Sequence, residues 1–238
     1  MSFASAKLPF TFSEEKLLRD LARCATSIDN EHYNKQDYSG SWKVVSLRSP
    51  DGDAANGNAL SFDGVFKDTP LLANCPYFEE VINNFSCEKA SIRLLNLAAG
   101  SVIHEHSDIG LSYNEGWFRL HIPITTNPDV RFIIGGEEVV MLPGECWYGD
   151  FGMLHSVQNL GTTDRVHLII DCKRNDWSDA LFGDLGYSFE DDDAESYDAD
   201  SMVRIIEALK LLDTPAAHER IEALKQQLRS LKSDTSKK

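Results

Sequence analysis

Lys89-Ala90-Ser91-Ile92-Arg93-Leu94-Leu95-Asn96-Leu97-Ala98-Ala99-Gly100-Ser101-Val102-Ile103-His104-Glu105-His106-Ser107-Asp108 decides the fold. It holds two short apolar or alternating runs, 91–97 and 101–106, parted by a small-residue turn, which is the pattern of paired strands. The same grammar continues in Trp117 to Pro123, Val130 to Ile134, Val139 to Leu142, Cys146 to Tyr148, Ser156 to Gln158 and Arg165 to Asp171, with Gly, Asn, Pro and Asp between the runs. About eight strands this closely spaced, with no helical crossover between them, make an antiparallel barrel or jelly roll rather than a parallel sheet. The expectation is a mainly β, cupin-like double-stranded β-helix.

Working outward, Ser13 can cap a helix whose apolar positions Leu17, Leu18, Leu21, Cys24, Ala25 and Ile28 recur at helical spacing. A first strand is expected from Ser41 to Leu47, then a turn-rich loop from Ser49 to Asn58, then a short helix from Tyr77 to Phe85. Beyond the strands, Glu190-Asp191-Asp192-Asp193-Ala194-Glu195 reads as a solvated connector. Ser201 and Thr214-Pro215 open two further helices; the second carries Ala217, Ile221, Leu224, Leu228 and Leu231 as a narrow apolar seam. Residues 1–189 are therefore expected to form a jelly-roll domain with an N-terminal helical cover. Residues 190–238 are expected to form an acidic linker and a C-terminal helical segment, whose seam suggests a homodimer.

Composition narrows the function. A net charge of −15, with 38 acids against 23 bases, argues against nucleic acid, which is held by clustered Lys and Arg. No apolar run is long enough to cross a membrane, and the start lacks the pattern of a secretory signal, so a cytoplasmic protein is expected. The five cysteines include no Cys-x-x-Cys pair and are expected to be reduced, mostly buried thiols.

His106 and Asp108 are two apart, and alternate strand positions share a face. With the distant His155 they offer two imidazoles and one carboxylate, the set that suits non-haem Fe(II) and leaves positions open for other ligands. His104 lies on the same side of the strand and is an alternative partner for His106 in a His-x-His site that would dispense with Asp108. The residue type otherwise suits a rim position. Arg119 and His121 alternate along one strand, where they could hold a carboxylate. His32, His167 and His218 receive no role, and Trp117 and Trp147 read as core or pocket wall.

A longer pattern joins these residues. His106-Ser107-Asp108, Phe118-Arg119-Leu120-His121-Ile122-Pro123-Ile124, Pro143-Gly144-Glu145-Cys146-Trp147, His155-Ser156-Val157-Gln158-Asn159 and Asp164-Arg165-Val166-His167-Leu168-Ile169-Ile170-Asp171 resemble the aspartyl/asparaginyl β-hydroxylase family of 2-oxoglutarate-dependent oxygenases. The resemblance covers about residues 89–172. It implies that His106 and His155 bind Fe(II), and that Arg165 pairs with the distal carboxylate of 2-oxoglutarate. A guanidinium fork suits that task chemically as well. Arg119 and His121 are then candidates for the other carboxylate of the cosubstrate or for one of the substrate. Animal peptidyl hydroxylases of the family lack the carboxylate ligand, whereas bacterial proline cis-4-hydroxylase-like members have His-x-Asp as here. Asp108 therefore implies a dioxygenase that uses O2 to hydroxylate a small-molecule amino acid, free or carrier-bound. A peptidyl Asp or Asn substrate, or a cupin-type metal enzyme not using 2-oxoglutarate, is the alternative.

Overall fold

A computed structural model describes residues 3–189 apart from 33, 60–64 and 109, and beyond 189 only residues 203, 206, 210, 221, 224 and 225. The elements in chain order are β1 (Ser5–Thr11), α1 (Glu14–Cys24), β2 (Asn30–Glu31), β3 (Tyr38–Ser39), β4 (Trp42–Ser49), β5 (Lys67–Asp68), α2 (Pro76–Ile82), β6 (Lys89–Leu97), β7 (Val102–His106), β8 (Trp117–Thr125), β9 (Val130–Ile134), β10 (Glu137–Glu138), β11 (Glu145–Gly149), β12 (His155–Asn159), β13 (Arg165–Lys173) and α3 (Asp176–Asp184). They form two sheets in which every pairing is antiparallel. The larger runs β1-β11-β8-β13-β6-β4-β2, with β5 also paired to β4, and the smaller runs β10-β9-β12-β7-β3. Leu95, Leu97 and Ile169 of the first sheet share one buried cluster with Ile103, Phe132, Ile134 and Val157 of the second. The mainly β jelly roll expected from the sequence is the fold. No helix among the described residues is long and apolar enough to cross a membrane.

The chain divides into two units, 1–187 and 188–238. In the second, the six residues described beyond 189 are helical; Ile206, Ile221 and Leu224 are buried and Val203 is exposed. The acidic connector at 190–195 and the rest of the expected dimer seam lie outside the described residues.

Several boundaries differ from the sequence pattern for identifiable reasons. β1 carries Pro9, which cannot donate to a ladder; the strand is tolerated because it lies on the sheet edge, and its register against β11 shifts between Lys7 and Thr11. The run Val139 to Leu142 is no strand. After the Val139 N–H reaches the Phe132 carbonyl (2.8 Å) the backbone leaves the ladder, and Pro143 offers no donor to resume it. Helix α1 stops at Cys24 and tightens into a 3-10 turn, Ala25–Ser27, before Ile28. The five cysteines are free, and four of them are buried.

A buried carboxylate of the N-terminal cover caps the next helix. Helix α2 receives no side-chain hydrogen bond from its own cap residue, Cys75. Instead Asp20 of α1, buried at 1% exposure, accepts the Tyr77 and Phe78 N–H groups at 2.7 and 3.0 Å, and its other oxygen pairs with Arg23. Those donors would otherwise be orphaned at a buried helix end. Asp20→Ala is expected to lower stability by about 1–3 kcal/mol, read as an earlier urea midpoint with unchanged slope. A midpoint equal to that of the parent would show that water replaces the cap.

Candidate metal centre

Strand pairing assembles the triad. In the β7–β12 ladder His106 stands opposite His155, and the register shifts immediately after it, between His155 and Val157. Asp108 follows the end of β7, and its N–H reaches the Phe151 carbonyl at 2.8 Å, tying this turn to the segment that leads into β12. One ligand atom from each of His106, Asp108 and His155 lies within 4.8 Å of the others. It is the one such group found among the described residues. His104 is exposed and outside it.

The donor chemistry fits a metal. His106 Nδ1 lies 2.7 Å from the His104 carbonyl, and His155 Nδ1 lies 3.0 Å from the Met153 carbonyl. A carbonyl can only accept, so both protons sit on Nδ1 and both Nε2 lone pairs are left for coordination. Burial holds His155 neutral against the pull of Asp108, lowering its pKa to about 4. Burial pushes the Asp108 carboxyl up, but Arg119, His155 and His106 together hold it below its ordinary range. His155 and Asp108 are thus deprotonated where a cation needs them to be.

Behind the triad lies the large sheet. Arg119 on β8 gives Nη1 to Asp108 Oδ2 (2.5 Å) and Nε and Nη2 to Asp171 on β13 (2.6 and 3.3 Å). Asp171, with no solvent exposure, also accepts from Ser91 Oγ (2.6 Å) and Arg93 Nη2 (3.0 Å). Arg119 is therefore occupied on every nitrogen, where the sequence pattern offers it to a ligand. His121 stacks on Phe151 with centroids 4.7 Å apart, and its Nδ1 is 3.2 Å from His167 Nδ1. Arg165 is 1% exposed. Its Nη2 is 2.8 Å from His167 Nδ1, its Nε has no partner, and its guanidinium lies 5.2 Å from the centre of the Phe132 ring. Neither Asp150 nor Asp171 pairs with it among the described residues. Burial alone lowers its pKa to about 9.

The structure thus brings every residue singled out from the sequence, apart from His104, to one region between the sheets. It adds four that the pattern left without a role. Arg93, His167 and Asp171 share the inward face with Arg119, His121 and Arg165, as their cross-strand registers require. Period-two spacing from Arg165 to His167 and Asp171 was the available signal. His32, buried at 6% exposure, stacks on Trp42 at 3.7 Å and feels the charges of Arg93, Asp108, Arg119 and His106. Nothing local in the sequence marks it, because it comes from the distant loop before β3.

Buried neutral histidines make the metal-free protein acid-sensitive. His32 is lowered to about 3, mainly by burial, and His155 to about 4, whereas the unfolded chain titrates near 6.5. Their contribution is complete above pH 6.5 and is lost as pH falls from there towards 4 and 3, because protons then favour the unfolded state. A Tm drop on the order of 10 °C is expected between about pH 7.5 and about pH 5. His32→Gln should flatten part of the slope; a Tm independent of pH across this window would contradict the assignment.

Comparison with known proteins agrees with this arrangement. The family model described as Aspartyl/Asparaginyl beta-hydroxylase matches residues 13–175. L-proline cis-4-hydroxylase of Rhizobium meliloti (strain 1021) is 28% identical over 163 residues, which are 67% of this chain and 57% of that protein. The chain therefore spans less than two thirds of that relative's length. Among solved structures, an oxidoreductase of the 2OG-Fe(II) oxygenase family from Burkholderia pseudomallei matches 72% of this chain and 86% of its own, at 14% identity and a TM-score of 0.49. A Pseudomonas putida prolyl-4-hydroxylase matches 72% and 93%, at 10% identity and a TM-score of 0.44. The extent of the family match, across both sheets and all three members of the triad, makes this chain a member of the aspartyl/asparaginyl β-hydroxylase family.

Proposed function

We propose that the protein is an Fe(II)/2-oxoglutarate-dependent dioxygenase that hydroxylates a free or carrier-bound amino acid. The observation that carries this reading is Arg165. It is a buried guanidinium with a partnerless Nε and no carboxylate in ion-pair reach among the described residues, on the sheet that faces the triad. A buried unpaired charge is costly, and an anionic ligand that completes it recovers that cost on binding. The likeness to a proline hydroxylase supports an amino acid as substrate.

In this reading His106, Asp108 and His155 hold the metal. Bound there, Fe(II) with 2-oxoglutarate would supply the oxidising chemistry, one atom of O2 entering a C–H bond and the other entering the cosubstrate as it loses CO2 to become succinate. Arg165 grips the distal carboxylate of the cosubstrate. Arg119 orients Asp108 through Nη1, so that one carboxylate oxygen is engaged and the other faces the histidines; His106 Nε2 is 3.7 Å from Asp108 Oδ1. Arg119 stays engaged with Asp108 and Asp171 in this reading, so of the pair Arg119 and His121 it is His121 that is left to meet a second carboxylate. Phe151 packs against the rings of both His121 and His155, and Phe132 packs against His121, so apolar rings flank the triad. Residues 1–189 form the catalytic domain, and the C-terminal segment supplies a homodimer contact. Five free thiols suit a cytoplasmic setting.

The test is an anaerobic titration of the whole protein with Fe(II) and then 2-oxoglutarate, following the visible charge-transfer band of the chelate. The band is expected in the parent and absent in His106→Ala. Arg165→Ala should need about tenfold or more additional cosubstrate, the worth of a charged hydrogen bond. Iron-loaded protein that gives no band would reject the proposal in favour of a metal enzyme without 2-oxoglutarate.

A further inference from the structure

His167 stands two residues from Arg165 on the same face of β13, at 2% exposure. Its Nδ1 meets both Arg165 Nη2 (2.8 Å) and His121 Nδ1 (3.2 Å). Guanidinium nitrogens only donate, so His167 Nδ1 accepts from Arg165. This is the one side-chain hydrogen bond that Arg165 makes among the described residues; its guanidinium also lies over the Phe132 ring. The contrast with the neighbouring arginines is chemical. Arg93 and Arg119 are aimed by a carboxylate, Asp171, which also cancels charge. Arg165 is aimed by an uncharged imidazole, which fixes the fork and leaves its positive charge intact.

We infer that His167 is a positioning residue for the carboxylate subsite, holding Arg165 and His121 in place while keeping the guanidinium charge uncompensated for an incoming carboxylate. The inference rests on the reading of Arg165 given above. Burial, with Arg165 and His121 adding to it, keeps the His167 ring neutral, as the role requires. An aspartate at this position would aim the guanidinium equally well but neutralise it. A leucine would leave it charged but unaimed.

The test compares 2-oxoglutarate with pyruvate, a 2-oxo acid that chelates through the same groups but lacks a distal carboxylate. Both are titrated calorimetrically into the full chain loaded anaerobically with Fe(II). His167→Leu is expected to weaken 2-oxoglutarate binding about tenfold or more and to leave pyruvate unchanged. His167→Asn, which keeps a polar atom near the Nδ1 position, should recover most of the loss, whereas His167→Asp should not. Where His167→Leu fails to fold, His167→Gln, whose longer side chain misplaces the acceptor, makes the same comparison. Wild-type affinity in His167→Leu, wild-type affinity in His167→Asp, or an equal loss for both ligands would overturn the inference. A parent protein that binds 2-oxoglutarate no more tightly than pyruvate would instead overturn the assignment of Arg165, and the inference with it.

Discussion

The carboxylate of Asp171, with no solvent exposure, is the point to which the charges of this interior are referred. It receives one guanidinium from β6, another from β8 and a hydroxyl from Ser91, so three adjacent strands of the large sheet converge on two oxygen atoms. Such a group is tolerated away from water only when its lone pairs are satisfied in good geometry, and here they are. The consequence reaches the other sheet. Arg119, anchored by Asp171, extends its remaining nitrogen to Asp108, so the carboxylate of the triad is oriented by a side chain that is itself immobilised.

The two sheets accordingly divide the work. The small sheet contributes the three metal-facing residues, brought together by one cross-strand pair and one turn. The large sheet contributes the positive groups, in two states of balance. Arg93 and Arg119 are balanced by Asp171 and Asp108 together, whereas around Arg165 the positive charge is surrounded by imidazoles and an aromatic ring. In the function proposed above, that asymmetry would give a dicarboxylate its direction relative to the iron.

What could be read from the chain follows from how local each signal is. Alternation and turn residues are local, and they give seven of the eight runs placed from Ser91 onward as strands; Val139 to Leu142 fails because alternating burial survives even where the hydrogen-bond ladder stops. The edge strand β1 was not legible, because Pro9 argues against a strand unless its place on the sheet is known. The clustering of His106, Asp108 and His155 was legible because His106 and Asp108 share a face and His155 joins a wider motif. The occupation of Arg119 was not. Whether an arginine meets a ligand or an aspartate depends on cross-strand register, here Asp171 against Arg119, which no window of sequence contains. His32 escaped for the same reason in stronger form, since it reaches the site from a loop with no periodicity.

The position of β1 carries a consequence for how the molecule behaves among its own kind. Without it, β11 would form the rim of the larger sheet, presenting open backbone donors and acceptors beside the partly buried ring of Trp147. Such rims recruit strands from neighbouring molecules. Pro9 and the register shift make the present rim a poor template, and Lys7, paired with Glu145, places charge along it. β1 thus acts as a guard against self-association, so loss of Ser5–Thr11 would be felt first as turbidity in a concentrated sample.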